Sequence, residues 1–275
     1  MNIVLKDTSK IAQFSSILKN LKNFSNEIVL IVDNNQMYAQ GMDSSHCCLF
    51  ELVLKSSWFT EFDVEEEDSI NLGINCELLS KVLNCLEQEQ MIEMAHTKNE
   101  DKLLITLSPN EGKSGIKKEF MIPLMDVQYD LMVVTEDEYS VDIEMLSQDF
   151  TNLVNQLSIF GNSLAINCED VITLRGMGEL GAMNAIIKDE DILLYATEED
   201  CKLIAFFSSS YINMITSFSK INRKIQIHIN QETPMKIQYG LDNFMDDDDE
   251  LPDDEEEQVD NNYIRFFLAP KEVDD

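Results

Sequence analysis

The chain has 275 residues and 44% of them are hydrophobic, enough for one large domain or two ordinary ones around a full apolar core. With 52 acidic against 20 basic residues its net charge is −32, which excludes a basic surface spread over the whole protein. No apolar run could span a membrane, no secretion signal opens the chain, and six cysteines without a C-x-x-C pair predict reduced, buried thiols in an intracellular protein.

Helical and strand patterns alternate through the first half of the chain. Residues 10–24 predict a helix with one apolar face and a capping residue just before it. The face comprises Ile11, Phe14, Leu18 and Leu21, and the capping candidates are Asp7, Thr8 and Ser9. A second helix is predicted over 76–87, with Leu78, Leu79, Val82, Leu83 and Leu86 on one face. Apolar or alternating runs predict strands at 27–32, 36–42, 47–54, 90–96, 102–108 and 117–124.

The second half repeats this pattern. Residues 149–168 echo 13–32, and residues 211–229 echo 78–96, each pair offset by roughly 135 positions and each combining an amphipathic helix, a break and a strand. Short helices among many antiparallel strands indicate an α+β protein made of two similar domains in tandem. The predicted boundaries are a first domain over 1–123, a connecting loop over 124–139 and a second domain over 140–275.

Two segments lack a regular period. The loop 124–139 mixes acids with an apolar centre at Leu131, Met132, Val133 and Val134. Residues 246–260 contain eleven acids and no base, and without them the net charge is about −21. No glycine lies in that run, so it does not fit a calcium-binding EF-hand loop. We expect a solvated, self-repelling segment there.

The segment GMDSSHCC, residues 41–48, concentrates side chains that are used in catalysis and zinc binding. Neighbouring side chains on an extended chain point to opposite faces, and adjacent cysteines do not give zinc its usual ligand spacing. No G-x-S-x-G elbow, Walker A motif or G-x-G-x-x-G motif is present. We interpret the segment as a strand edge and turn whose side chains hold a loop, and we predict no enzymatic activity, no metal and no cofactor.

Four segments are specific enough to compare with known families. They are GMDSSHCCLFELVL at 41–54, the LMD and EYS triplets that bound the loop at 124–140, GELG at 178–181 and YIRFFLAPKEVDD at 263–275. In this order they resemble the proliferating cell nuclear antigen family of DNA sliding clamps. The resemblance implies tandem clamp domains that form a head-to-tail homotrimeric ring, with helices lining the hole and antiparallel sheets outside.

The resemblance also implies a function and a set of partners. Such a ring is a non-catalytic processivity factor that encircles double-stranded DNA without sequence specificity. It tethers DNA polymerase and other replication and repair proteins through aromatic-anchored peptide motifs, and a clamp loader places it on DNA. The implied location is the nucleus. The divergence of this sequence favours a lineage such as a large DNA virus, in which case the location is a viral replication compartment.

The lysines of the first two helices are the predicted DNA-facing residues: Lys10, Lys19, Lys22 and Lys81. Lys22 and Lys81 match positions at which the family faces DNA, and cations there attract phosphates without reading bases. The second domain departs from the family, since residues 146–160 contain no Lys or Arg. Uncharged Asn152, Asn155, Ile159, Ser210 and Ser217 stand at the positions expected to be basic, while Lys220, Arg223 and Lys224 lie beyond the last helix.

The family's partner pocket is matched by a mostly apolar set that suits an aromatic peptide anchor. Its members are Met42, His46, Cys47, Leu49, Met132, Val134, Pro234, Phe267, Ala269, Pro270 and Lys271. Thr135 replaces the usual proline of the loop, and Phe266 and Phe267 replace a tyrosine pair.

The subunit interface of the family matches two strand-like segments. Its predicted members are Ile116, Lys117, Lys118, Phe120 and Ile122 in the first domain, and Ala182, Asn184, Ile186 and Lys188 in the second. Residues 243–262 form an insertion where the family has a short turn, and residues 167–174 lack the lysine that the family uses for ubiquitin-type tagging. A checkpoint-type or heteromeric clamp subunit is the alternative, favoured by the weakly basic second domain.

Overall fold

The computed structural model describes residues 1–64, 69–134, 138–179, 181–198, 201–231, 233–242 and 261–271. These residues form two units. The first comprises Met1–Ser44, Glu51–Met132 and a segment that ends at Tyr263. The second comprises Ser45–Phe50, the residues that follow Met132, and a segment that begins at Ile264. Thr135 and residues 243–260 of the predicted insertion 243–262 lie outside the described residues.

Two helices in the first unit begin where the sequence offers a capping side chain. Helix α1, Thr8–Asn20, is capped by Asp7, whose carboxylate accepts the Lys10 amide at 2.9 Å. Helix α2, Cys76–Leu83, is capped in the same way by Asn75, which accepts the Leu78 amide at 2.9 Å. A short 3₁₀ turn, Leu21–Asn23, continues α1. The cap of α1 is thus the first of the three predicted candidates.

Helix α2 ends earlier than the predicted boundary at residue 87. The Cys85 amide bonds to the Val82 carbonyl and the Leu86 amide bonds to the Leu83 carbonyl, each only three residues back. These bonds tighten the chain into a turn instead of extending the α-helix. Leu86 therefore does not belong to the helical face to which its spacing assigned it.

Nine strands lie wholly or mostly in the first unit within its described residues, β4 being the one whose first three residues belong to the second unit. They are β1 Asn2–Leu5, β2 Glu27–Val32, β3 Gln36–Met42, β4 Cys48–Lys55, β5 Glu61–Asp63, β6 Ile70–Asn75, β7 Gln90–Ala95, β8 Lys102–Pro109 and β9 Lys118–Pro123. One sheet has the order β5-β1-β7-β8-β9, and β4-β3-β2-β6 are neighbours in a second series. Strands β1, β2, β7 and β8 pair with their neighbours in antiparallel register, for example Ile105 of β8 opposite Phe120 of β9.

The second unit repeats this arrangement. Its helices are α3 Ser147–Leu157 and α4 Ser209–Thr216. Its strands are β10 Val141–Leu146, β11 Ser163–Cys168, β12 Ile172–Gly178, β13 Gly181–Ile187, β14 Leu194–Thr197, β15 Leu203–Ser208, β16 Lys224–Ile229, β17 Met235–Gly240 and β18 Tyr263–Leu268. The orders β14-β10-β16-β17-β18 and β13-β12-β11-β15 correspond strand by strand to the two series of the first unit. The predicted α+β duplication is therefore confirmed.

Each unit has its own aromatic core beneath its helices. In the first, the rings of Phe14 and Trp58 lie 6.3 Å apart and those of Trp58 and Phe59 lie 5.3 Å apart. In the second, Phe218 and Phe266 pack at 5.0 Å. Among the described residues, no helix combines the length and the apolar character that a membrane crossing requires.

A buried asparagine ties the start of β16 to β17 in the second unit. The Asn222 side chain donates to the Gly240 carbonyl at 2.8 Å and accepts the Lys224 amide at 2.9 Å. It is only 8% exposed, so both backbone groups lose their partner without reaching water when it is removed.

We therefore expect Asn222→Ala to lower the free energy of unfolding by about 2–3 kcal/mol, the usual cost of leaving two buried polar groups unsatisfied. Urea denaturation at fixed protein concentration measures the shift of the midpoint. The exposed Asn155→Ala on α3 is the control and should change the free energy by less than about 0.5 kcal/mol. Equal midpoints for both variants would contradict the assigned role of Asn222.

Candidate functional site

Helices α1 and α2 lie side by side in the first unit, with Lys22 on the 3₁₀ turn after α1 and Lys81 on α2. The Lys81 ammonium is 2.8 Å from the Glu77 carboxylate, and both side chains are mostly exposed. Lys22 is also exposed and acts electrostatically on Glu77. The hydrogen bond from Lys81, followed by the charges of Lys81 and Lys22, lowers the pKa of Glu77. The cluster holds two cations around one carboxylate, a net positive charge on this helical face.

The other two predicted lysines are placed differently. The Lys10 ammonium donates to the Trp58 carbonyl at 2.9 Å and lies 5.6 Å from the centre of the Trp58 ring. Lys19 is half-buried in the last turn of α1, and burial lowers its pKa. Lys10 is thus bound to its own unit in this structure. Lys22 and Lys81 are the pair that stands exposed toward solvent.

The corresponding helices of the second unit carry no basic residue. Exposed positions on α3 include Asn152 and Asn155, and Ser210 is exposed on α4. Ile159, 71% exposed, and Ser217 lie just beyond the two helices. Of the three cations that follow α4, Lys220 is exposed, whereas Lys224 pairs with Glu144 at 2.9 Å and is half-buried. This helical face is polar and nearly uncharged.

Two members of the predicted partner pocket, Met42 and Met132, belong to the first unit. Met42 ends β3 and is half-buried. Met132 is 46% exposed and its backbone is held by the Gln40 side chain, two residues before Met42 on the same strand. Leu131 is 51% exposed beside it. The connecting loop therefore presents apolar side chains to solvent from a backbone that is fixed at one point.

Two of the second-unit members, Cys47 and Ala269, are hydrogen-bonded to each other just before β4 and just after β18. The Cys47 carbonyl accepts the Ala269 amide at 2.9 Å, and the Lys271 amide donates to the Phe206 carbonyl at 2.6 Å. The Arg265 guanidinium lies 5.4 Å from the centre of the Phe267 ring. Leu49 is buried, Cys47, Val134, Phe267 and Ala269 are half-buried, and His46, Pro234, Pro270 and Lys271 are exposed. His46 has a φ of 58°, so the turn passes through the left-handed region there.

The predicted interface segments coincide with two sheet edges. Strand β9 is an edge strand of the five-stranded sheet β5-β1-β7-β8-β9. Strand β13 is an edge strand of the four-stranded sheet β13-β12-β11-β15. Ile116 and Lys117 precede β9, and Lys188 follows β13. Met121 and Ile116 are each 72% exposed on one edge, and Ile186 is 65% exposed on the other.

The remaining interface candidates differ in exposure. Lys117, Ala182, Asn184 and Lys188 are exposed, and Phe120 is half-buried. Lys118 is half-buried and donates to the Cys85 carbonyl and the Glu87 carboxylate. The Ile122 side chain is only 1% exposed and belongs to the core of the first unit. Ile122 can reach a second chain only through its backbone.

The cysteines correct one expectation. All six are thiols, but Cys47 and Cys201 are only half-buried, and Cys85 is exposed because it lies in the turn after α2 and not on a buried helical face. Burial raises the pKa of Cys76 and of Cys168 to about 12, which keeps these thiols protonated and unreactive. Within the described ranges, no three His, Cys, Asp or Glu side chains are arranged to hold a metal ion.

A shallow depression of about 420 Å³ lies in the second unit, apart from the predicted pocket residues. It is lined by Glu138, Tyr139, Asp142, Glu198, His228 and Lys236. His228 Nδ1 lies 2.5 Å from the Asp142 carboxylate, and the Lys236 ammonium lies 5.2 Å from the centre of the Tyr139 ring. Four of the six lining side chains thus contact each other in pairs, and none of the six is a predicted pocket residue.

Sequence patterns missed two residues that shape the connecting loop. Gln40 gives no local signal, since it is one polar residue in an alternating strand. Gly73 does give one, because a glycine inside a strand marks a close approach of backbone. A Cβ on Gly73 would lie 2.2 Å from the Met125 carbonyl oxygen at the start of the loop.

Two family models match consecutive parts of the chain. The one described as proliferating cell nuclear antigen, N-terminal domain, matches residues 6–132. The one described as proliferating cell nuclear antigen, C-terminal domain, matches residues 133–247. The junction between the matches coincides with the division between Met132 and Val133 in the structure.

Proposed function

The chain belongs to the proliferating cell nuclear antigen family of DNA sliding clamps, and from this premise we propose that three copies close into a ring that tethers DNA polymerase and other partners. Membership rests on two consecutive domain matches and on the doubled layout of strands and helices. Members of the family are non-catalytic scaffolds that support processive DNA replication. The chain's predicted lack of enzymatic activity agrees with that role.

Two sheet edges support the proposed ring. Among the described strands, β9 lies at an edge of the five-stranded sheet and β13 lies at an edge of the four-stranded sheet. Edge strands offer backbone hydrogen-bonding groups to another chain. A second copy that joins its β13 to β9 would cover both edges with backbone hydrogen bonds.

A head-to-tail contact of this kind closes into a ring when its rotation is one third of a turn. Light scattering of the purified chain tests the proposal directly, since a homotrimer has three times the 31.5 kDa of one subunit. A DNA polymerase assay that compares product length with and without the ring tests processivity. A monomer at tens of micromolar in moderate salt would contradict the homotrimer.

A heteromeric or checkpoint-type clamp is the second candidate. The observation that favours it is the nearly uncharged helical face of the second unit, because a non-identical partner could supply the missing cations. Light scattering also separates the candidates, since a chain that forms trimers alone has no need of a different subunit.

We place the action of the clamp where DNA is replicated, in the nucleus or in a viral replication compartment. A clamp loader is the expected partner for opening the ring. Divergent features such as the second-unit helices are the reason to favour a viral lineage. Genomic context of the coding sequence tests that lineage independently of any biochemical assay.

The partner pocket gives a prediction of intermediate size. Replacing Val134 or Phe267 with Ala should weaken binding of an aromatic-anchored peptide by about 1–3 kcal/mol, because each change removes half-buried apolar contact area. Fluorescence anisotropy of a labelled peptide measures the change. Neither residue lies on β9 or β13, so the mass of the assembled ring should stay the same.

Val171→Ala is the control for this experiment. Val171 is 45% exposed in the second unit and is not a member of the predicted pocket. Its removal should leave peptide affinity unchanged. If all three variants bind the peptide as tightly as the unaltered chain, the docking site lies elsewhere.

A further inference from the structure

One glutamine side chain binds both backbone groups of a single loop residue. Gln40 Nε2 donates to the Met132 carbonyl at 3.0 Å, and Gln40 Oε1 accepts the Met132 amide at 2.7 Å. The two residues are 92 positions apart. A side-chain amide has the same donor and acceptor as a peptide group, so Gln40 takes the place of a neighbouring strand at this point.

The same loop has a second attachment to the first unit. The Met125 amide donates to the Gly73 carbonyl at 2.9 Å, and the two residues form an isolated antiparallel bridge. Residues 126–131 between the two attachments adopt neither helix nor strand. The loop is therefore held at Met125 and Met132 with irregular backbone between them.

The apolar side chains of this stretch stay at the surface despite these bonds. Tyr129 is 38% exposed, Leu131 51% and Met132 46%. Because these side chains are not buried, their packing does not fix the position of Met132. The two hydrogen bonds from Gln40 to the Met132 backbone do. A loop that is fixed before binding loses less conformational freedom when a ligand arrives.

We propose that Gln40 is a positioning residue for partner docking: it fixes the Met132 backbone so that the Met132 side chain is presented in advance to an aromatic-anchored peptide. The inference rests on the proposed docking function of the loop. Gln40 acts through Met132 and need not touch the peptide. Removal of the Gln40 side chain should therefore lower peptide affinity and make the backbone at Met132 more mobile, while strand β3 stays folded.

Three variants test this role. Gln40→Ala removes both bonds, whereas Gln40→Glu keeps an acceptor for the Met132 amide but cannot donate to its carbonyl. Gln36→Ala is the matched control. Gln36 lies on the same strand and points to the same side, but its side chain accepts from Lys55 at 2.7 Å and has no bond to the loop.

Two measurements are made on each full-length variant. The first is the affinity for a fluorescein-labelled peptide that carries aromatic side chains on one helical turn. The second is hydrogen exchange at the Met132 amide, with the Met125 amide as an internal reference. Gln40→Ala should weaken peptide binding about 5- to 30-fold, because the loop is no longer fixed by these two hydrogen bonds and must be ordered when the peptide binds.

The expected pattern is specific. Gln40→Ala should accelerate exchange at Met132 but not at Met125, Gln40→Glu should fall between it and the unaltered chain, and Gln36→Ala should match the unaltered chain in both measurements. If Gln40→Ala fails to fold, the Gln40→Glu variant tests the proposal instead. Weaker peptide binding with unchanged hydrogen exchange at the Met125 amide supports the role of Gln40, and unchanged peptide binding overturns it.

Other outcomes overturn the inference in distinguishable ways. Accelerated exchange at Met132 with unchanged peptide affinity shows that the anchor exists but does not serve docking. Equal weakening by Gln36→Ala and Gln40→Ala assigns the effect to strand β3 as a whole. Absence of binding even by the unaltered chain overturns the docking function itself and this inference with it, and Met132 exchange then still reports whether the anchor is real.

Discussion

An Ile186→Asp substitution is expected to convert the proposed ring into single subunits of 31.5 kDa. Ile186 is 65% exposed on the edge strand β13, and the proposed neighbour across the interface is β9 with its exposed Met121. Closing the interface would place the new carboxylate against this apolar surface without a partner. Burial of an unpaired charge costs several kcal/mol, so each contact should weaken by about 100-fold or more.

The same sheet offers a matched control. Ile204 is 54% exposed on β15, the opposite edge of the four-stranded sheet. Strand registers place Ile186 opposite Thr173, Thr173 opposite Asn167 and Asn167 opposite Ile204, so both isoleucines lie in one row on one face. Ile204→Asp changes the charge equally but should leave the trimer intact. Light scattering that finds trimers for both variants would remove β13 from the interface.

Replacing Lys22 and Lys81 together with Ala should weaken DNA binding by about 10- to 1,000-fold near 0.1 M salt, with little dependence on DNA sequence. A trimer loses six positive charges by this change. If each neutralises one phosphate, the slope of log affinity against log salt becomes shallower by up to about five units. The second-unit helices offer no cation to compensate, because α3 and α4 contain none.

Glu77, the carboxylate next to these two lysines, provides a further test of this prediction. In the double variant its carboxylate loses the two cations that lower its pKa, so its pKa should rise toward the ordinary carboxyl value. At neutral pH the group stays ionised and repels phosphates from the same face. Adding Glu77→Ala to the double variant should therefore restore part of the lost affinity without restoring the salt slope.

Lys102→Ala with Lys113→Ala is the charge-matched control. Both lysines lie in the first unit but on neither helix, and Lys113 pairs with Glu89 at 2.5 Å. Salt-resolved titrations on closed circular DNA, with a loader where one is needed, compare the two pairs. Identical slopes for both double variants would contradict a DNA-facing role for Lys22 and Lys81.

The amino-acid sequence determined the elements and their repetition. Apolar spacing in residues 10–24 and in the strand at 27–32 is a local property, because backbone geometry fixes how often a side chain returns to one face. The absence of cations from the second-unit helices is equally visible in the sequence, since no fold can supply a charge that the chain lacks.

Tertiary structure decided which of these side chains remain available. In the sequence nothing distinguishes Lys10 from the other lysines predicted to face DNA. In the folded chain, however, its ammonium donates to the Trp58 carbonyl, 48 positions away. Ile122 alternates along an edge strand, yet its side chain faces the core. The bond between Gln40 and Met132 depends on where a strand and a loop meet after folding. Contacts between residues so far apart are set by sheet register and chain packing, which local periodicity does not encode.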